Sequence, residues 1–168
     1  TNAAEGEEPT EDLEVVVTSL TEGHRIASSY FLDGWPMVTE PPSMPHRPDA
    51  ILGGAIRLWG YKIETPGPKV GPGQEINITL VWRDELPVEK DYHVFLHLMD
   101  ENDQLLDQDD GVPANWTRPT TTWRPGEIIV DRYSVQVPAE TAAEVAYLWV
   151  GMYDPDGSGR LSVLGSEP

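Results

Sequence analysis

Residues 97 to 113, HLMDENDQLLDQDDGVP, hold six carboxylates (Asp100, Glu101, Asp103, Asp107, Asp109 and Asp110) within eleven positions, with no Lys or Arg among them. Carboxylates at this density have two chemical uses. They can gather a hard cation, since calcium takes about six to eight oxygen ligands, or they can supply the pair of acids that hydrolyses a glycosidic bond. A strand sends successive side chains to opposite faces, so acids at this spacing do not converge by themselves. The default reading is a solvated β-hairpin with HVFLHLMD and QLLDQD as its arms and ENDQ as its turn, where Asn and Asp side chains bond nearby backbone groups. A second loop, DPDGSGRLSVLG (154 to 165), sets Asp154, Asp156 and Ser158 at the alternating positions of a calcium loop, with Gly159 at the bend. Its twelfth position is Gly165 where such a loop carries a bidentate Glu, so it reads as a Gly-rich hairpin turn. No metal site and no cofactor are assigned.

The other reactive residue types point away from catalysis. The chain has no cysteine and no G-x-S-x-G elbow, and DGSGR lacks the strand-to-helix setting that activates a serine. His93 and His97 alternate with Val94, Leu96 and Leu98, which puts both on one face of a strand with Phe95 but roughly 13 Å apart, too far to share one metal. Asp110 and Asp131 are expected to fix loops by accepting backbone N–H bonds. No catalytic residue is assigned. Among the six tryptophans, Trp82 and Trp149 lie in the middle of apolar stretches and are expected in the core. Trp35, Trp116 and Trp123 fall in Pro- or Thr-rich loops, where an aromatic face can stack on a sugar ring or plug the end of a fold. Residues 110 to 126, DGVPANWTRPTTTWRPG, form the longest connection between predicted strands within residues 52 to 164, and long ordered loops are where binding concentrates. The candidate binding residues are therefore Trp116, Trp123, Arg118 and Asp110, with Trp116 facing solvent and Trp123 anchoring the loop beneath it.

These residues need elements to position them, and Pro or Gly at 31 of 168 positions cuts the chain into short segments. QEINITLVW (74 to 82) alternates Ile76, Ile78, Leu80 and Trp82 with Glu75, Asn77 and Thr79, the period of a strand with one wet side. Pro72-Gly73 and Pro125-Gly126 precede two such strands, the latter suited to a type II turn. Further strands are predicted at 13 to 20, 54 to 64, 92 to 100, 104 to 109, 144 to 154 and 160 to 164, and no long segment shows a 3.6-residue period. About eight strands without crossover helices imply an all-β fold, an antiparallel β-sandwich of Ig-like or jelly-roll-like kind. WPMVTEPPSMPHRPDA (35 to 50) is too Pro-rich for regular structure and is expected as an extended connection across the sandwich. Residues 1 to 14 carry six acids and no base and read as a flexible linker, leaving 15 to 168 as one domain.

The formal net charge of −18 argues against nucleic acid as a partner. No apolar run approaches the roughly 20 residues needed to span a bilayer, so no direct membrane insertion is expected. The chain begins at Thr1 with no initiator Met and reads as processed or cut from a longer protein. Residues 52 to 164 resemble a β-sandwich module, most specifically in FLHLMD (95 to 100), PTTTWRPGE (119 to 127) with Asp131, and GMYDPDGSGRL (151 to 161). That module sits at the extracytoplasmic C-terminal end of bacterial multi-pass membrane proteins similar to polyprenyl-phosphate-sugar-dependent glycosyltransferases, and in other surface proteins. The resemblance implies a non-catalytic accessory domain at the cell surface, tethered through its parent protein. Its partner would be glycan or the membrane-embedded part of that parent. The alternatives are a hydrolase acting on polysaccharide and a purely structural spacer.

Overall fold

The alternating stretch QEINITLVW lies in β3 (Glu75–Asp84) of the computed structural model, a strand hydrogen-bonded on both sides. The structure describes residues 37–157 and 159–164. The other strands are β1 (Ala50–Leu52), β2 (Ile56–Glu64), β4 (His93–Asp100), β5 (Leu105–Gly111), β6 (Ile128–Gln136), β7 (Ala146–Asp154), β8 (Gly159–Arg160) and β9 (Val163–Leu164). They make two antiparallel sheets, β6-β3-β2-β1-β9 and β5-β4-β7-β8. The protein is an all-β sandwich. Nine strands stand among the described residues: seven of the expected eight, with RLSVL divided so that Arg160 pairs with β7 and Val163 and Leu164 with β1, and in addition β1 itself, which was not expected. The expected strand at 13 to 20, the linker at 1 to 14, His24, Trp35, Ser158 and Gly165 lie outside the described residues.

Alternation decides the core. Ile76, Ile78, Leu80 and Trp82 of β3 are buried and pack with Val94, Leu96 and Leu98 of β4 and Met152 of β7. Each such side chain contributes roughly 1.5–3 kcal/mol by leaving water. Trp149 departs from the expectation of a core residue. β7 is apolar on both faces, and its register, Leu98 with Leu148, Leu96 with Val150 and Val94 with Met152, turns the even-numbered residues inward. Trp149 therefore pairs with His97 on the outer face and is 39 % exposed.

The turns follow residue chemistry. Gly73 and Gly126 have φ of 77° and 84°, as the third position of a type II turn requires, and Gln74 and Glu127 donate back to Gly71 and Arg124. The acidic hairpin turns where predicted, with Asp100 Oδ1 accepting from the backbone of Asn102 and Gln104, each at 2.8 Å. Asp107 and Asp109 are employed elsewhere. Their carboxylates accept the backbone N–H groups of Gln136 (2.6 Å) and Ser134 (2.9 Å) on β6, the last strand of the other sheet. Asp154 accepts from Asp156 N and pairs with Lys90, closing the β7–β8 turn. Among the described residues no three His, Asp or Glu side chains form a group able to hold a metal ion. The Pro-rich run from Met37 to Asp49 bridges neighbouring elements: Val38 O accepts from Ile128 N, His46 bridges Tyr61, and Met44 fills the space over Gly60.

Candidate functional site

The outer face of the β5-β4-β7-β8 sheet is built from residues that alternate with the core. β4 turns Val94, Leu96 and Leu98 inward and leaves His93, Phe95 and His97 outside, while β7 leaves Tyr147, Trp149, Gly151 and Tyr153 outside. Cross-strand pairing joins His93 to Tyr153, Phe95 to Gly151 and His97 to Trp149. A strand face turned to water ordinarily carries polar residues. This one carries rings.

The rings are in contact. His93 meets Tyr153 edge-on at 5.6 Å between centroids, and Phe95 lies 5.0 Å from His97. Gly151 has no side chain, and the Phe95 ring occupies that space so closely that a Cβ there would stand 2.6 Å from it. Arg160 covers the Phe95 ring at 4.3 Å, an arrangement the ring's negative face favours. Tyr147 is 51 % exposed, and with Trp149 it marks the open end of this face.

Asp110 supplies the polar centre. It pairs across the ladder with Phe95, accepts the backbone N–H of Leu96 at 3.2 Å and faces His97 Nε2 at 3.3 Å. The Tyr153 hydroxyl is raised above its ordinary pKa by burial and by the Asp110 charge. His97 and Asp110, paired with each other, set polar atoms beside the rings.

Trp116 closes the other end. It is 64 % exposed, its ring covers Gly111 and it meets His93 edge-on at 5.4 Å. Its backbone is unusual. Ala114, Asn115 and Trp116 have φ of 54°, 53° and 65°, one turn of left-handed helix without a glycine, closed by Trp116 N to Val112 O and Arg118 N to Pro113 O. Such residues cost about 1–2 kcal/mol each, so the turn persists only because its surroundings hold it. Asp131, wholly buried, accepts Ala114 N at 2.8 Å through one oxygen, and Tyr133 Oη at 2.7 Å and Trp82 Nε1 at 3.2 Å through the other. At the far end Thr117 Oγ1 donates to Ala114 O, and Arg118 donates to Glu127 at 2.9 Å.

The four residues singled out from the sequence thus divide. Trp116 and Asp110 border the aromatic face. Trp123 is buried in the core cluster with Nε1 bonded to Arg118 O at 3.0 Å, which anchors the loop and removes its ring from the surface. Arg118 is held by the buried Glu127. Thr120, also buried, ties the loop to the start of β4 by accepting Tyr92 N. Sequence reasoning did not reach Trp149, Tyr147 and Tyr153 as surface residues. The available signal was the division of labour along β4 and β7, where aliphatic residues alternate with aromatic ones.

Two of the buried carboxylates, Glu127 and Asp131, have structural employment. Glu127 is engaged by Arg118 and Arg124, and Asp131 by Trp82, Tyr133 and the backbones of Ala114 and Arg132. Asp84 is wholly buried with both oxygens unpartnered among the described residues, and burial, then the charges of Glu127 and Glu85, raise its pKa to about 6. A cleft of about 860 Å³ also opens between the sheets, lined chiefly by aliphatic side chains such as Leu58, Ile63, Val145, Leu148 and Val150. Compared with protein-family models, curated proteins and solved structures, the chain matches none.

Proposed function

We propose that this domain is a non-catalytic glycan-binding module, an extracytoplasmic accessory part of a larger membrane or surface protein, and that it binds through the outer face of the β5-β4-β7-β8 sheet. The observation that carries the reading is the aromatic row itself: Tyr147, Trp149 and Tyr153 on β7, His93 and His97 on β4 and Trp116 beyond them occupy a strand face where polar residues are the rule. Exposed apolar surface of this extent marks a place of contact. Rings interleaved with a hydrogen-bonding pair suit a ligand that has apolar faces and hydroxyl edges, which is the chemistry of a sugar. The inter-sheet cleft is lined chiefly by aliphatic side chains, with polar groups from Thr65, Lys69, Thr141 and Glu144 among them. The cell-surface setting rests on the resemblance of residues 52 to 164. Binding is favoured over hydrolysis because Asp131 and Glu127 already accept bonds from the protein's own donors.

A single site of this kind binds weakly, and display beside an enzyme or in several copies makes it useful. The test is a glycan array followed by titration calorimetry. Trp149→Ala is expected to weaken binding by roughly thirtyfold, about 2 kcal/mol, as the loss of a central aromatic contact does, with the melting temperature nearly unchanged because the ring is on the surface. Wild-type protein that binds no glycan would move the reading to a structural spacer. Hydrolysis of any arrayed polysaccharide would move it to the enzyme.

A further inference from the structure

Asp131 is a wholly buried carboxylate, and besides the neighbouring Arg132 backbone it is met by donors from three separate parts of the chain: Trp82 on β3, Tyr133 on β6 and the Ala114 backbone. The first two bonds lie within the core sheet. The third leaves it and ends on the first of three consecutive residues in the left-handed region. The last of those three is Trp116, the most exposed of the rings beside the proposed site. Arg118, just after the turn, is fixed through Glu127 and through the Trp123 indole that bonds its carbonyl. With the chain clamped at Ala114 and again at Arg118, Trp116 between them is presented in one orientation.

We propose that Asp131 is a positioning residue of the glycan site: its carboxylate holds the Ala114–Trp116 turn in its left-handed form, so that the Trp116 ring meets the ligand already in its bound pose. The inference rests on the reading of the aromatic face as a glycan site. Its physical content is pre-organisation. A ring ordered before binding loses little freedom when a sugar stacks on it, whereas a ring on a loosened turn must be ordered at the expense of affinity. The carboxylate end of the clamp is wholly buried, and in such a low-dielectric surrounding its bond to the Ala114 N–H is strengthened.

The experiment is a pair of double-mutant cycles read by calorimetry with cellopentaose, maltopentaose, mannopentaose and chitopentaose, using whichever binds wild type most tightly. Asp131→Asn is expected to weaken binding by about tenfold. Combined with Trp116→Ala it is expected to add nothing further, because the ring it positions is gone. Combined with Trp149→Ala its effect is expected to multiply, because that ring stands on β7 and is set by the sheet. Equal multiplication in both cycles overturns the positioning role and leaves the glycan reading intact. Absence of binding by wild type to any of the four probes, with a blank array, overturns the glycan reading and the positioning role with it. Hydrogen exchange of the wild-type protein guards against a variant that fails to fold: the Ala114 amide is expected to exchange as slowly as the β6 amides, and exchange at the rate of an open loop would show that the clamp does not exist.

Discussion

Asp84 and Asp131 are buried acids in different predicaments. Asp131 is surrounded by donors that lower its pKa, yet burial outweighs them and leaves it at about 6. Asp84 has no donor among the described residues and two acidic neighbours, and it also stands at about 6. An unfolded aspartate titrates near 3.8, so between about pH 4 and 6 the folded chain holds more protons than the unfolded chain. The associated stability is therefore complete below about pH 4 and is lost as pH rises through about 6. Asp84→Asn removes one of the two acids and keeps the shape of the neutral one. The variant is expected to match wild type near pH 4 and to exceed it by roughly 2–3 kcal/mol at pH 7.5. Urea denaturation across that range measures the difference, and a constant offset between the two proteins would show that Asp84 is not the titrating group.

At the scale of elements, the parts legible in the sequence are those in which one physical demand selects one residue type. Pro72-Gly73 and Pro125-Gly126 gave away their turns because the third position needs a positive φ. Gly126→Ala is accordingly expected to lower stability by about 1–2 kcal/mol, measured by thermal melting, since a Cβ at φ of 84° is strained whatever the space around it. β3 was legible because its alternation is apolar against polar. β7 was not, because Ala146, Leu148, Val150 and Met152 on one side face Tyr147, Trp149 and Tyr153 on the other, and a period of two cannot say which of two apolar faces is inward. Pairing with β4 resolves it. The turn Ala114–Trp116 left little trace in the sequence, since only Asn115 among its residues favours the left-handed region and the bond that holds it comes from Asp131, seventeen positions away from Ala114. In the candidate site, Trp116 and Asp110 were legible as loop and motif residues, while the face they border was hidden in a choice of register.

For the whole molecule the arrangement is two sheets with separate duties. β3 carries the bulk of the core and is paired on both sides, whereas the β5-β4-β7-β8 sheet supplies one face to that core and gives the other to solvent. Substitutions on the outer face and in the core therefore separate cleanly. Leu96→Ala on β4 is expected to cost about 2–5 kcal/mol of stability through the cavity it leaves, while His97→Ala, the next residue along, is expected to change glycan affinity with little effect on melting. Denaturation and calorimetry on the same two variants check both halves, and loss of stability in His97→Ala would mean that the outer face is structural. The placement of Asp107 and Asp109 on the backbone of β6 has a consequence of another kind. A domain with a bare outermost strand is at risk of polymerising, because that strand is a template on which the same strand of a neighbour can add, and the addition repeats. Here the rungs of that template at Ser134 and Gln136 are already taken by anions, and an incoming chain must displace both while approaching a strongly negative hairpin. The double variant Asp107→Ala with Asp109→Ala is expected to scatter light and bind thioflavin on concentration where wild type stays clear. On this account Asp107 and Asp109 work as chain terminators, occupying the β6 amides onto which a second copy of the domain would otherwise grow.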